Sequence, residues 1–121
     1  MNEMARAFER ACFEFAVRIV KLSNFLIEKK HEWVLSRQIV RSATSIGANY
    51  REAQYAQTKP DFVAKVNIAL KEAGETGYWL DLLQASEYLS DENYSSLKTE
   101  CDKITASLVR IVKTAKSNPN R

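Results

Sequence analysis

The run RSATSIGAN, residues 41–49, holds the side chains best suited to chemistry. Arg41, Ser42, Ser45 and Asn49 stand at helical spacing, and the acids Glu52, Glu72 and Glu75 follow downstream. A serine nucleophile needs a base to take its proton and an acid to orient that base. The chain's single histidine, His31, lies outside helical reach of both serines. Glu52, Glu72 and Glu75 could converge on metal ions inside a bundle. Centres of that kind, however, take Glu-x-x-His pairs from two helices, and one histidine cannot supply both. There is no glycine-rich phosphate loop and no Walker pattern. No catalytic residue, cofactor or metal ligand is therefore assigned, and the chain is expected not to be an enzyme.

The polar residues make better sense as a network. At about 100° per residue, Gln38, Arg41, Ser45, Asn49 and Glu52 share about 80° of arc at the border of a helix's core-facing side. Glu72 and Glu75 hold the matching border on the next helix, near Trp79. A planar guanidinium takes carboxylates bidentately and tolerates partial burial better than an ammonium, so Arg41 is expected to face one or both glutamates. Ser45 and Asn49 supply further donors and acceptors. Desolvation offsets the Coulomb gain in such a network, which serves register and partner choice more than stability. Gly47 costs about 1 kcal/mol relative to alanine in a helix interior, and a close backbone approach would account for it.

The elements that carry these residues are helical. Three glycines and two prolines interrupt 121 residues very little. Phe8, Cys12, Phe15, Ile19, Leu22 and Leu26 alternate spacings of four and three, one face of an amphipathic helix. Tyr94, Leu97, Cys101, Ile104, Leu108, Ile111 and Ala115 repeat the pattern near the end. Between them Thr58 is a predicted N-cap, with Pro60 in the first turn and Asp61 three residues on. The pattern predicts one all-α domain over residues 1–121, an up-down-up-down four-helix bundle with helices at about 4–29, 33–57, 60–87 and 91–116. Cys12 and Cys101 fall on core positions and are expected as buried free thiols in a reducing compartment. No apolar run reaches the ~20 residues of a membrane span. The first residues carry acids where a secretion signal would be apolar. A cytoplasmic protein without a membrane partner is expected.

Two features point to partners. From Gln38 to Tyr50 the only charge is Arg41. Leu35, Ile39, Ser42, Ile46 and Ala53 make the bundle-facing side, while Tyr50, Ala43, Gly47 and Val40 continue an uncharged arc to the back. The third helix buries Phe62, Val66, Ala69, Ala73, Gly77 and Leu80, and carries a second apolar strip of Ile68, Trp79, Leu82 and Leu83. Exposed apolar area of that extent marks a protein–protein surface, so a homo-oligomer built through the two middle helices is expected. The second feature is charge. The net charge is +3, with +2 in each of the segments 1–30 and 91–121 and −2 in residues 59–90. Arg6, Arg10, Arg18 and Lys21 on the first helix, and Arg110, Lys113, Lys116 and Arg121 at the C-terminal end, are candidate phosphate contacts. Repetition around an oligomer would multiply their effect.

The run LSRQIVRSATSIGANYREAQ, followed by TKPDFVAKVNIALKEAGETGYWLDLL, resembles the four-helix-bundle family named for proteins encoded in intervening sequences of bacterial 23S rRNA genes. The likeness is close over about residues 35–83. It rests on Gln38, Arg41-Ser42-Ala43, Ser45-Ile46, Ala48-Asn49 and Glu52 in the second helix. Asp61-Phe62, Lys71-Glu72-Ala73, Glu75-Thr76 and Tyr78-Trp79-Leu80 carry it in the third. Where much of that family reads Asn-Ile-Ala-Glu-Gly, this chain has Asn49-Tyr50-Arg51-Glu52-Ala53. Glu52 is kept and the glycine is not, which predicts a second helix running on to about Gln57. The resemblance implies a bundle assembling as a ring-shaped homopentamer without catalytic residues. The accessory protein of diversity-generating retroelements, a basic pentameric bundle that binds nucleic acid and a reverse transcriptase, is similar in fold. By that analogy the expected partners are structured RNA or DNA, or a partner protein.

Overall fold

The structure, a computed structural model, describes residues 1–118, so Arg121 lies outside the described residues. Four helices follow in order: α1 Glu3–Lys30, α2 Val34–Gln54, α3 Lys59–Ala85 and α4 Asp91–Ser117. Among the described residues there is no strand. None of the four helices is long and apolar enough to cross a membrane.

Local chemistry sets the helix ends. The Asn2 side chain accepts from the Ala5 amide at 2.8 Å and starts α1. His31 ends that helix in the left-handed region, φ 55, which lets the Glu32 amide reach back to the Leu26 carbonyl at 3.0 Å. Glu32 then serves the next helix. Its carboxylate accepts from the Leu35 and Ser36 amides at 2.6 and 3.2 Å, satisfying donors that the first turn of α2 leaves open. Thr58 accepts from the Asp61 amide at 3.2 Å, with Pro60 in the first turn, and Ser90 accepts from the Asn93 amide at 3.2 Å. Two ends come earlier than the periodicity predicts. α2 stops at Gln54 rather than near Gln57, because the Tyr55 and Ala56 amides bond only three residues back, to the Glu52 and Ala53 carbonyls. α3 stops at Ala85, two residues before Glu87 turns left-handed at φ 66.

Each helix runs antiparallel to the next. Arg51 of α2 bonds Glu9 near the start of α1, while Ser36 bonds Ser23 further along α1. Lys65 near the start of α3 meets Glu52 near the end of α2, and Asp81 late in α3 meets Tyr94 and Lys98 early in α4. Short connections therefore give an up-down bundle. α1–α2, α2–α3 and α3–α4 pack closely, and α1–α4, the pairing that closes the circle, is much sparser. Phe15, Ile19 and Leu26 of α1, Ile39 and Ile46 of α2, Val66, Leu80 and Leu83 of α3, and Leu108 of α4 are fully buried together.

This packing corrects the reading of the middle helices. The uncharged back of α2 is not a free surface, because α1 covers it. Ala43 and Tyr50 are buried, the Phe8 ring meets Tyr50 edge-on at 4.8 Å, and a Cβ on Gly47 would sit 3.4 Å from that of Cys12. A helix flanked on both sides has no room for a charged half, since a charge there would be desolvated without a partner. The second strip of α3 is likewise mostly covered. Leu83 is fully buried and Leu82 and Trp79 partly so, leaving Ile68 exposed together with Tyr78. Cys12 and Cys101 are buried free thiols.

Candidate functional site

The polar seam lies in the exterior groove between α2 and α3. Arg41 Nη2 donates to Glu75 Oε2, and its Nη1 lies 3.4 Å from Glu72 Oε2. The same Glu75 oxygen accepts from Trp79 Nε1 at 3.1 Å, so one carboxylate ties the guanidinium to the indole. Arg41's side chain is 52% exposed and Glu72's only 17%, so the charges sit at the mouth of the groove rather than in the core. Antiparallel packing makes the match: Arg41 lies midway along α2, where Glu72 and Glu75 of α3 pass it.

The other residues of the predicted network do not join it. Ser45 donates to the Arg41 carbonyl at 2.7 Å, and the Asn49 amide donates to the Ser45 carbonyl at 2.8 Å, both within their own helix. Such local bonds compete with cross-helix ones for short polar side chains. Glu52 pairs with Lys65 at 3.1 Å, a full turn and more from Glu72, and Gln38 is exposed. No three His, Cys, Asp or Glu side chains gather as a metal site among the described residues.

Deeper in the same interface lies a pair that helical arcs alone did not single out. Thr76, fully buried, donates its hydroxyl to Ser42 Oγ or to the Glu72 carbonyl, both at 2.8 Å, and Ser42 can donate to the Ile39 carbonyl at 3.3 Å. Ser23 and Ser36 make a similar buried link between α1 and α2. Both pairs are satisfied, as burial demands. The signal available in the sequence was a small hydroxyl at a core position on each of two neighbouring helices.

The cationic residues divide into paired and unpaired groups. Arg18 is held by Glu100 and by the Ser96 hydroxyl at 3.0 Å, and so offers less to a ligand than its position suggested. Lys21 and Lys113 are exposed and in no ion pair with a described residue, and the same holds for Lys116. Arg110 donates to Ser107 of its own helix, at 3.1 Å, and is in no ion pair with a described residue. From Lys103 to Ser117, α4 carries four cations and no carboxylate. Both thiols are poor nucleophiles: burial pushes Cys12 up to about 12 and Cys101 up to about 11.

The family described as 23S rRNA-intervening sequence protein matches residues 6–110, nearly the whole bundle. The chain belongs to that family. A solved family-like structure agrees: a protein of unknown function from the S23 ribosomal protein family of Bacteroides thetaiotaomicron is 51% identical, with a TM-score of 0.87. The match covers 88% of this chain and 98% of that one. Comparison with curated proteins finds no match. The bundle is thus shared with a solved relative, and the seam of Arg41, Glu72 and Glu75 lies within the residues that match the family.

Proposed function

We propose that this family member is a non-enzymatic, cytoplasmic homo-oligomer, a pentameric ring, that binds structured RNA through the cations of α1 and α4. The observation that carries the nucleic-acid reading is the acid-free half of α4, where Lys103, Arg110, Lys113 and Lys116 meet no carboxylate among the described residues. Phosphates neutralised by such side chains release counterions, which makes the binding salt-dependent.

Ring assembly is supported by two unlike apolar patches on two helices that do not pack on each other. On α1, Phe13, Val17 and Val20 form an exposed stripe, with Phe13 at 63%. On α3, across the bundle, Ile68 and Tyr78 are exposed beside the polar seam. A contact between different patches is head-to-tail and closes into a ring when its rotation permits. The polar seam then rims an apolar contact, the usual arrangement at protein interfaces.

Electrophoretic or anisotropy titration of the purified chain with a structured RNA at two salt concentrations tests the binding. Steep weakening with salt and with Lys113→Glu and Arg110→Glu is the expected result. Absence of binding at low salt would eliminate it. A second reading, a scaffold for a partner protein, draws on the exposed Trp33 and Val34 in and beside the α1–α2 turn, away from both patches. Co-purification of a stoichiometric protein without nucleic acid would favour that reading instead.

A further inference from the structure

We infer that the cleft between the C-terminal half of α1 and the α3–α4 turn binds a nucleotide, either free or as an unpaired residue of a polynucleotide. The base would lie against Phe25 and the phosphate on Lys21 and Lys30. This rests on the nucleic-acid reading above and adds to it a place and a chemistry that the α4 cations do not supply.

The cleft encloses about 640 Å³, inside the ~300–1,000 Å³ range of small-molecule sites. It opens along the sparse α1–α4 side, where the helices leave room that the core does not fill. Arg18, Lys21, Phe25 and Lys30 line it from α1, with Tyr88 and Asn93 across from them. Phe25 is 44% exposed, an aromatic face that folding leaves in contact with water. Lys30 Nζ stands 5.9 Å from the centre of that ring, so a cation and a stacking surface already share one spot. Bases of every kind present a π-face to such a ring, and a positive groove beside it follows the backbone. The Asn93 amide offers donor and acceptor groups for a base edge.

The charges of the cleft are divided between its two walls. Arg18 is neutralised by Glu100, and Asp91 is tied to the Gln84 amide at 3.0 Å. Lys21, Lys30 and Glu87 are left without an ion pair among the described residues. Asp91 keeps its charge too, so the two lysines of α1 face two carboxylates on the α3–α4 turn, and a phosphodiester would sit on the α1 wall, where both cations flank Phe25.

The test is fluorescence anisotropy on the full chain at low salt, with a labelled oligouridylate of about 12 nucleotides and a blunt RNA duplex of the same length. Phe25→Ala and Phe25→Leu should each lower affinity for the single strand about tenfold or more and leave duplex affinity unchanged. Lys113→Glu should weaken both. Phe25→Leu keeps apolar bulk at a half-exposed site, so a folding defect cannot stand in for the lost ring. Displacement of the oligonucleotide by uridine monophosphate assigns the cleft to free nucleotides; failure to displace it assigns the cleft to a residue held in a chain. Unchanged single-strand affinity in both Phe25 variants, with Lys113→Glu still weakening it, overturns this inference and leaves the α4 surface standing. Wild-type protein that binds neither probe overturns both.

Discussion

Replacing Arg41 with leucine separates what the polar seam does for the subunit from what it does for the assembly. In the isolated bundle the substitution removes one direct ion pair, to Glu75, and one longer one, to Glu72 at 3.4 Å. The arginine side chain is 52% exposed, so each pair belongs to the surface class, about 0.2–1 kcal/mol. Glu75 keeps its bond from the Trp79 indole, and Glu72 still faces water at the groove mouth, so neither carboxylate becomes a buried orphan. The expected cost is about 1 kcal/mol, or about 3–6 °C in melting temperature for a chain of this size. Much of it should vanish in 1 M salt, where the screening length is about 3 Å. Urea unfolding at high dilution reads the subunit term, and sedimentation velocity on concentrated samples reads association. A seam that rims the interface predicts weaker association at a stability cost no larger than this. A loss above about 3 kcal/mol that ignores salt would belong to a buried charge pair, and would refute the account of Arg41 as a surface residue.

Gly74→Ala should stabilise the protein by about 0.5–1 kcal/mol, since a Cβ there meets nothing within 4 Å and its backbone is helical; chemical denaturation measures it. Cys12 and Cys101 should resist a thiol reagent at pH 8 in the folded chain and react at once in denaturant, because burial holds both above their ordinary range. Rapid labelling without unfolding would contradict the packing of α1 against α2 at Cys12, or of α4 against α3 at Cys101. Asp81 has its carboxyl held below its usual range, first by the hydrogen bond from Lys98 and then by that from Tyr94. Its folded value is the lower one, so its contribution is present above the unfolded value and is lost as pH falls through the folded one. Asp81→Asn should therefore lower stability at neutral pH, leave it little changed at the acid end and so flatten the acid limb of the profile, which melts across a pH series will show.

The two outer helices were legible because each buries one stripe, and a stripe leaves a period. Phe15, Ile19 and Leu26, like Leu97, Ile104 and Leu108, are buried where spacing put them. α3 packs against both α2 and α4, so its apolar residues run most of the way round, and nothing in the period says which neighbour covers Leu83. The bare back of α2 had the same ambiguity: an uncharged arc fits a subunit interface or a third helix, and α1 turned out to cover it. The ion pair of Arg41 with KEAGET was legible because opposite charges on facing borders of antiparallel helices have few other places to go. The hydrogen bonds of Ser45 and Asn49 were not, because an own-helix carbonyl is always the nearer competitor.

The sparse closure between α1 and α4 bears on how the chain finds its shape. Almost all tight packing joins helices that are consecutive in sequence, so contacts form across connections of a few residues and with little loop-closure entropy. Chains of such low contact order fold fast. The remaining pairing, typified by Arg18 and Glu100 at a separation of 82 residues, contributes the fewest contacts and so gains least from forming early. The molecule is energetically a zigzag strip of three hairpins drawn into a circle, and the join of that circle is where it unzips first.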